Sequence, residues 1–299
     1  MSAVDVLGAP GAAGGQVPAT IPRRSRTHGL RGLPLQVKIG GGILALLVIV
    51  AILAPLLAPY GQNQLDFDHI LSGPSFSHPM GTDSTGRDIF SRTLYALRVD
   101  LAIVVAVTYI PLPIGVLIGA MAGYFGGIVD AIVSRIIDTM IAFPFMVLVI
   151  AVIAIVGPGV KGVLIGVPIV AWALYARLAR SEMLVMREQP FMLATTALGY
   201  TRRRAILRHA VPNLMRSCLI YSTLDMVVNL LLLASLAYLG LGAQPPNAEL
   251  GSIIADGQSS LLSAWWVATL PGFVVVLFGI GAGLLGDGLS DGRLRGEVQ

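Results

Sequence analysis

The stretch Glu188–Asn213, EQPFMLATTALGYTRRRAILRHAVPN, holds one glycine and four arginines between two apolar runs. Pro190 suits the first turn of a helix, because the N–H that proline lacks has no partner there. Gly199 suits the end of that helix, because glycine adopts a left-handed backbone conformation without a side-chain penalty. The stretch therefore predicts a short helix, a glycine hinge and a second, basic helix.

Both predicted helices carry apolar side chains at helical spacing. The stripe on the first helix comprises Phe191, Ala194, Thr195 and Leu198. On the second helix, which Thr201 is predicted to cap and Pro212 to end, one face comprises Ala205, Ile206 and His209. Arginines, Arg203 among them, occupy the rest of that helix. An exposed apolar face of this kind indicates either a protein partner or a position on anionic lipid, and the spacing leaves both open.

The remainder of the chain is strongly apolar. Hydrophobic residues make up 55% of the 299 residues, charged residues 12%, and the mean hydropathy is +0.80. A soluble domain has about 25% charged residues, so the composition indicates a membrane protein. The net charge of +4 does not indicate a nucleic-acid partner, because the basic residues fall in blocks between apolar runs. The single cysteine, Cys218, lies in an apolar run and excludes a disulfide framework.

Six apolar runs have roughly the 20 residues that a helix needs to cross a bilayer. They are Ile39–Pro59, Leu101–Ala122, Ile132–Val156, Gly162–Ala179, Ser217–Leu241 and Trp265–Leu285. The sequence therefore predicts an all-α integral membrane fold with six transmembrane helices within residues 37–295. Residues 1–36, rich in Gly, Ala and Pro, are predicted to be a disordered segment on the cytoplasmic side.

The distribution of Lys and Arg predicts the orientation of the chain, because basic residues near helix ends resist translocation. With both termini in the cytoplasm, 16 of the 20 basic residues lie inside. Those left outside are Arg87, Arg92, Arg98 and Lys161. The Glu188–Asn213 loop is then cytoplasmic, and residues 60–100 and 242–264 face the other side.

Four stretches together resemble the C-type permease subunits of bacterial ABC importers for dipeptides, oligopeptides and nickel. The first is the Glu188–Asn213 loop, in which Ala194, Ala197, Leu198, Gly199, Ile206 and Pro212 match the cytoplasmic coupling loop of such permeases, although Leu193 stands where the family usually has a glutamate. The others are HPMGTDSTGRDIFSRTLYALRVDL from His78, LAYLGLGAQPPNAELGSIIADG from Leu236 and LLGDGLSDGRLR from Leu284. The resemblance covers about residues 37 to 295.

This resemblance implies the type I fold of ABC importer permeases, in the bacterial inner (plasma) membrane. It also implies a second, homologous permease that shares the pore, two cytoplasmic ATPases docked on the coupling loop, and an external substrate-binding protein. ATP and Mg would be bound by the ATPases, since this chain has no G-x-x-x-x-G-K-[ST] motif. The chain itself is expected to bind no cofactor or metal and to be no enzyme, and the expected solute is a short peptide, with nickel, glutathione or another small solute as alternatives.

Two outer motifs are candidates for contact with a gate or a partner. Asp83, Arg87 and Asp88 could be read as a metal or acid/base cluster, but the sequence fits a turn followed by a helix that Asp83 or Ser84 caps, stabilised by i,i+4 contacts. Pro245 and Pro246 stiffen the second motif, which can line the gate or form a plain turn.

The apolar runs also contain a pair of polar residues and two sets of regularly spaced glycines. Asp225 and Asn229 stand one turn apart on the fifth run, where an ionisable group lines a pathway or makes a structural hydrogen bond. Glycines at four-residue spacing predict close helix packing. They are Gly115, Gly119, Gly123 and Gly127, with Gly279 and Gly283 on the last run.

Two other classes of protein share part of this pattern. An ion-gradient-driven secondary transporter has a similar hydropathy profile, but internal repeats and discontinuous helices are expected of it. A membrane enzyme needs ligands or catalytic groups clustered at one depth, whereas the four histidines, His28, His69, His78 and His209, are scattered across three loops.

Overall fold

The computed structural model of the protein describes residues 34–244 and 246–297, with side chains described through Ser290. Residues 1–33, most of the segment for which the sequence predicts disorder, lie outside the described residues, as does Pro245. The described part is helical and contains no strand, apart from an isolated bridge between Thr82 and Asp88.

Twelve α-helical elements follow one another in the described residues. They are α1 (Leu35–Ile52), α2 (Ala54–Leu57), α3 (Ile89–Tyr109), α4 (Pro111–Phe125), α5 (Gly127–Ala142), α6 (Phe145–Val156), α7 (Val160–Met186), α8 (Pro190–Ala197), α9 (Arg202–Arg204), α10 (Val211–Tyr238), α11 (Leu250–Gln258) and α12 (Trp266–Glu297). A short 3₁₀ helix, Phe67–His69, precedes α3, and a π-helical stretch, Ala205–Ala210, joins α9 to α10.

Five helical segments of the described residues are long and apolar enough to cross a membrane. They are Leu35–Ile52, Ile89–Phe125, Val160–Met186, Arg202–Tyr238 and Trp266–Ser290. The bent pair α5 and α6 makes a sixth if it is counted as one span. The all-helical membrane fold predicted from the sequence is confirmed.

The third predicted span, Ile132–Val156, is not one straight helix. Helices α5 and α6 meet at 93° around Phe143 and Pro144. Phe143 is extended (φ −86°, ψ 146°), because the ring of a following proline disfavours the helical conformation. Helix α6 has 12 residues and is only about 18 Å long, so it cannot cross the bilayer alone.

The second span also differs from the prediction at its start. Instead of beginning near Leu101, α3 begins at Ile89 and continues into α4, so that the segment has 37 residues. At about 1.5 Å per residue this length exceeds the bilayer thickness. The first turns of α3 pack outside the span against α11, in a cluster that includes Ile89, Ala96, Leu250 and Ile253.

The first and last helices are in direct backbone contact. A Cβ atom on Gly40 of α1 would lie 2.5 Å from the carbonyl oxygen of Gly281 on α12, and one on Gly288 would meet Val37 Cγ2 at 2.5 Å. Gly279 and Gly283, which the four-residue spacing singled out, are different: Gly279 has only an ordinary contact and Gly283 has open space beside it. The packing glycines of α12 are therefore offset from the predicted ones, since the face of a helix is set by its neighbours.

Helices α4 and α7 form another close pair. Cβ atoms on Gly115 and Gly119 would lie 2.5 Å and 2.2 Å from the carbonyl oxygens of Trp172 and Ala176. Gly123 continues this contact near Met183, whereas Gly127 lies in open space and begins α5 with a φ of +55°. The predicted close packing is thus confirmed for Gly115, Gly119 and Gly123.

Candidate functional site

The predicted helix–hinge–helix element is present at one end of the bundle. Helix α8 has Pro190 in its first turn and ends at Ala197. Gly199 has a φ of +73°, and two bonds close the helix end: Tyr200 N–H donates to Thr195 O and Gly199 N–H to Thr196 O, both at 3.0 Å. This pair of bonds is a Schellman motif, which depends on the left-handed residue. We call Pro190–Asn213 the coupling segment.

The second half of the coupling segment begins as predicted but does not end as predicted. Thr201 caps it, its Oγ1 accepting a bond from Arg204 N–H at 3.4 Å. Pro212 does not stop the helix, because it lies in the first turn of α10 and the helical path runs on from Arg202 to Tyr238. A π-helical stretch lies directly before Pro212, and Asn213 Nδ2 donates to His209 O at 2.8 Å.

Part of the coupling segment is buried in the bundle itself. Met192, Thr195 and Ile206 are at most 5% exposed, and they belong to or border a core cluster formed with α4, α7 and α10. Thr195 Oγ1 donates to Met192 O at 2.7 Å. Met192 and Ile206 therefore fix the segment to the bundle, and Thr195, which is also buried, is not on its free surface.

The opposite surface of the segment is apolar and exposed. Leu198 is 71% exposed, and Phe191, Leu193 and Leu207 are 40–54% exposed. Ala194, Ala197 and Pro212 are exposed as well. A cavity of about 630 Å³ opens beside this surface. Its lining comprises Glu182, Met186, Gln189, Phe191, Asn213, Arg216 and Ile220.

Positive charge borders the apolar surface. Arg202, Arg203, Arg204 and Arg208 are all exposed. The Arg204 guanidinium lies 4.3 Å from the ring centroid of Tyr200, and that of Arg202 lies 5.9 Å from Phe125. These contacts order two of the arginines against aromatic rings, while residues 189–213 contain no acidic side chain.

The coupling segment is tied to neighbouring helices just before it begins. Arg187 Nη1 donates to Gly123 O at 3.0 Å, and Arg180 Nη2 on α7 donates to Asp130 Oδ2 on α5 at 2.7 Å. Together with the α4–α7 backbone contact, these bonds make the end of α7 a rigid base.

Asp225 and Asn229 lie in a hydrogen-bonded network between helices. The Tyr175 hydroxyl donates to Asp225 Oδ2 at 2.7 Å. Asn229 Nδ2 lies 2.9 Å from the same oxygen and 3.0 Å from Thr108 Oγ1. Asp225 is 7% exposed and Asn229 1%, so the described chain supplies both side chains with partners.

At the other end of the bundle, which we call the outer end, the Asp83–Asp88 turn caps α3. The cap is Asp88, not Asp83 or Ser84: Asp88 Oδ2 accepts from Ser91 N–H at 2.7 Å. Asp83, which the sequence predicts as a cap, instead makes an i,i+4 ion pair with Arg87 at 2.7 Å. Burial raises the pKa of Asp83, but hydrogen bonds from Arg87 and Thr85 and the charge of Arg87 outweigh burial, so the pKa lies below its usual value.

The second outer motif leads into α11. Pro246 is exposed, and the next acidic residue, Glu249, is fully buried. Glu249 Oε2 accepts a bond from Ala243 N–H, and burial raises the pKa of Glu249 to about 7 although that bond lowers it. Asp100 Oδ2 of α3 accepts from Leu250 N–H at 3.0 Å, across 150 residues of sequence. No local pattern indicated this contact.

The span arrangement and the exposed coupling segment at one end of the bundle define a helical membrane protein. Residues 115–292 match the family model of the binding-protein-dependent transport system inner membrane component, and residues 37–74 match the N-terminal TM domain of oligopeptide transport permease C. The chain belongs to this family and is an inner-membrane permease of the ABC importers for peptides and nickel.

Similar proteins agree with this assignment. The glutathione transport system permease proteins GsiD of Escherichia coli O157:H7 and of Shigella sonnei are each 39% identical to this chain over 247 residues, which cover 82% of both proteins. A chain in the inward-facing MetNI methionine ABC transporter has a TM-score of 0.51 at 16% identity, covering 66% of this chain and 96% of that one. The latter similarity supports the fold.

Proposed function

We propose that this permease forms one half of a translocation pore with a second, homologous permease, and that ATPases in the cytoplasm drive it through the coupling segment. The observation that carries the proposal is the exposed apolar surface around Leu198, on a segment that Met192 and Ile206 hold against the core of the bundle. A surface of this kind fits a cleft in a partner protein. Because the segment is continuous with α10 and braced against α7, closure of the two ATPases would tilt both helices as rigid bodies.

The orientation supports this role. The distribution of Lys and Arg predicts a cytoplasmic position for the coupling segment, where ATP is available. The catalytic groups for ATP hydrolysis, and the Mg that accompanies ATP, belong to the partner ATPases in this proposal. The permease contributes the path and the mechanical link.

The proposed solute is a short peptide delivered by an external binding protein. The match to an oligopeptide permease domain and the identity with glutathione permeases both support this class, since glutathione is itself a tripeptide. Glutathione and an ordinary dipeptide are therefore the first solutes to compare. Selection between them would rest largely on the binding protein.

Site-directed cross-linking tests docking directly. Cys218, the single native cysteine, is buried, so Leu198→Cys introduces one accessible thiol on the coupling segment. With a thiol-reactive photo-cross-linker, the assembled complex should yield a permease–ATPase product. Leu262→Cys, fully exposed at the outer end, is the matched control and should yield none. Lipid adducts alone at Leu198→Cys would contradict docking.

An ion-gradient-driven transporter is the alternative, since such proteins also contain discontinuous helices like the bent α5–α6 pair. The energy source of transport distinguishes the two. The complex, reconstituted in vesicles with its binding protein, should accumulate labelled glutathione or dipeptide when hydrolysable ATP is supplied. A non-hydrolysable analogue should support no accumulation. Uptake driven by a proton or sodium gradient without ATP would overturn the proposal.

A further inference from the structure

Three side chains from the outer loop between α2 and α3 converge on one point. His69 Nδ1 lies 2.9 Å from Asp66 Oδ2, and His78 Nε2 lies 3.6 Å from the same oxygen. One ligand atom from each residue lies within 4.8 Å of the other two. The sequence placed these histidines in a loop, but it did not indicate that they meet.

The orientation of His78 is fixed by its other ring nitrogen. His78 Nδ1 lies 3.0 Å from Asp88 Oδ1, and both side chains are buried. A carboxylate accepts only from a protonated nitrogen, so Nδ1 carries a proton. Tyr60 stacks on the imidazole with a centroid distance of 4.9 Å and holds the ring plane. In the neutral ring, Nε2 then presents a lone pair toward Asp66.

Asp66 is positioned in a similar way. Its Oδ1 accepts from Asp68 N–H at 3.1 Å as the cap of the 3₁₀ helix, which leaves Oδ2 facing the two imidazoles. A lone pair on Nε2 facing a carboxylate oxygen at 3.6 Å is not a hydrogen bond. A cation between the two atoms would satisfy the lone pair of Nε2, and it would replace the proton through which His69 Nδ1 now hydrogen-bonds to Asp66 Oδ2 at 2.9 Å.

We propose that Asp66, His69 and His78 form a binding site for a divalent transition-metal cation of the zinc type, and that Asp88 orients the His78 ligand. Two imidazole nitrogens and one carboxylate oxygen suit such an ion, and three protein ligands leave a position for water. Tetrahedral coordination at the usual bond lengths separates ligand atoms by about 3.3 Å. The two distances from Asp66 Oδ2, 2.9 and 3.6 Å, are close to this value, while the imidazoles, whose ligand atoms lie within 4.8 Å of each other, would adjust by side-chain rotation. The carboxylate–histidine pair of Asp88 and His78 is the outer contact that commonly fixes a metal-binding imidazole.

The site is accessible on one side. The side chains of His69 and Asp66 are 52% and 35% exposed, whereas that of His78 is 3% exposed. An ion can therefore enter from the outer aqueous phase and exchange there. Once bound, it would join the 3₁₀ helix to the N-terminus of α3, beside the existing backbone bond from Asp66 N–H to Gly86 O (3.0 Å). Binding should accordingly stabilise the outer loop.

Zinc binding to the purified full-length chain, prepared without a polyhistidine tag, tests the proposal. Competition with a chromogenic chelator should show one saturable Zn²⁺ site per chain, and Zn²⁺ should raise the thermal unfolding temperature. His69→Ala and Asp66→Asn should each weaken binding at least tenfold and abolish the thermal shift. Asp68→Asn, an exposed acidic residue in the same turn, is the matched control and should bind as the wild type does.

Two further measurements identify the ligands. With Cu²⁺ as a paramagnetic probe, nitrogen hyperfine structure should report two imidazoles in the wild type and one in His69→Ala. Asp88→Asn should weaken Zn²⁺ binding about 10–100-fold, as the loss of such an outer contact usually does.

Either of two results would overturn the proposal. The first is the absence of saturable Zn²⁺ binding in the wild type. The second is equal binding by His69→Ala and Asp68→Asn, which would place the ion elsewhere. These measurements need neither ATPase nor solute, so their outcome is independent of the proposed transport function.

Discussion

Gly119 lies so close to Ala176 that a Cβ atom built on it would stand 2.2 Å from the Ala176 carbonyl oxygen. Helices α4 and α7 therefore meet through their backbones at this point. Gly119→Ala should lower the free energy of unfolding by about 1–3 kcal/mol or more, because the overlapping atom belongs to a backbone that cannot move freely. Thermal unfolding in detergent measures the loss. Gly283→Ala, beside open space on α12, is the control, and equal stability of the two variants would contradict the close contact.

The hinge of the coupling segment depends on backbone conformation alone. Gly199 has a φ of +73°, and a Cβ atom there would meet nothing within 4 Å. Gly199→Val should therefore disturb the hinge through its left-handed backbone, which β-branched residues rarely adopt, whereas Gly199→Asn should be tolerated. We expect ATP-dependent uptake to fall at least tenfold in Gly199→Val and to remain near wild type in Gly199→Asn, with equal amounts of both in the membrane.

Equal uptake by these two hinge variants would show that the left-handed turn is not needed for coupling. A parallel measurement of ATP hydrolysis by the complex distinguishes lost coupling from lost assembly. If the hinge transmits motion, Gly199→Val should retain the bound ATPase and lose the link between hydrolysis and uptake.

Substitutions at Asp225 can show whether this residue has a structural role or acts in the transport pathway. Its carboxylate accepts bonds from Tyr175 and Asn229, and the amide oxygen of Asp225→Asn can accept the same bonds. We expect Asp225→Asn to keep the thermal stability of the wild type and Asp225→Leu to lose about 1–3 kcal/mol, because two buried donors lose their acceptor. A stable Asp225→Asn protein with strongly reduced uptake would instead show that the charge itself acts in transport.

The raised pKa of Glu249 predicts that the stability of the folded chain depends on pH. Its pKa is raised from 4.5 to about 7, so between these values the folded chain holds a proton that the unfolded chain has lost. The free energy of unfolding should therefore be greatest at low pH and fall by up to about 3 kcal/mol as pH rises through this window. Thermal unfolding between pH 4.5 and 8 measures the slope. Glu249→Gln, which has no proton to lose, should remove this contribution, and an unchanged slope in that variant would contradict it.

Features of the site that depend on local chemistry could be read from the sequence. Pro190, Gly199 and Thr201 mark a helix start, a helix end and a cap within a few residues, and the structure has all three. The small-residue spacing on α4 likewise predicted its packing. Each of these signals acts over one or two helical turns.

Other features depend on contacts between distant segments. The Phe143–Pro144 pair indicates a bend, because a residue before proline disfavours the helical conformation. The continuous apolar composition of the run nevertheless led to the prediction of a single span. The packing of α4, α7 and α10 determines which side of the coupling segment is buried. The sequence alone therefore could not distinguish the buried Thr195 and Ile206 from the exposed Leu198. The contact of Asp100 with Leu250 and the meeting of His69 with Asp66 arise from the tertiary fold, for which periodicity carries no information.

The backbone contact between Gly40 and Gly281 bears on how the protein is made. The ribosome delivers α1 to the membrane long before α12 exists, so the surface of α1 that ends against α12 has only lipid or insertion machinery beside it during synthesis. The bundle can close only when its final helix arrives and displaces those temporary neighbours. Damage at Gly281 should thus appear as a failure of biogenesis, seen as rapid degradation of newly inserted chains.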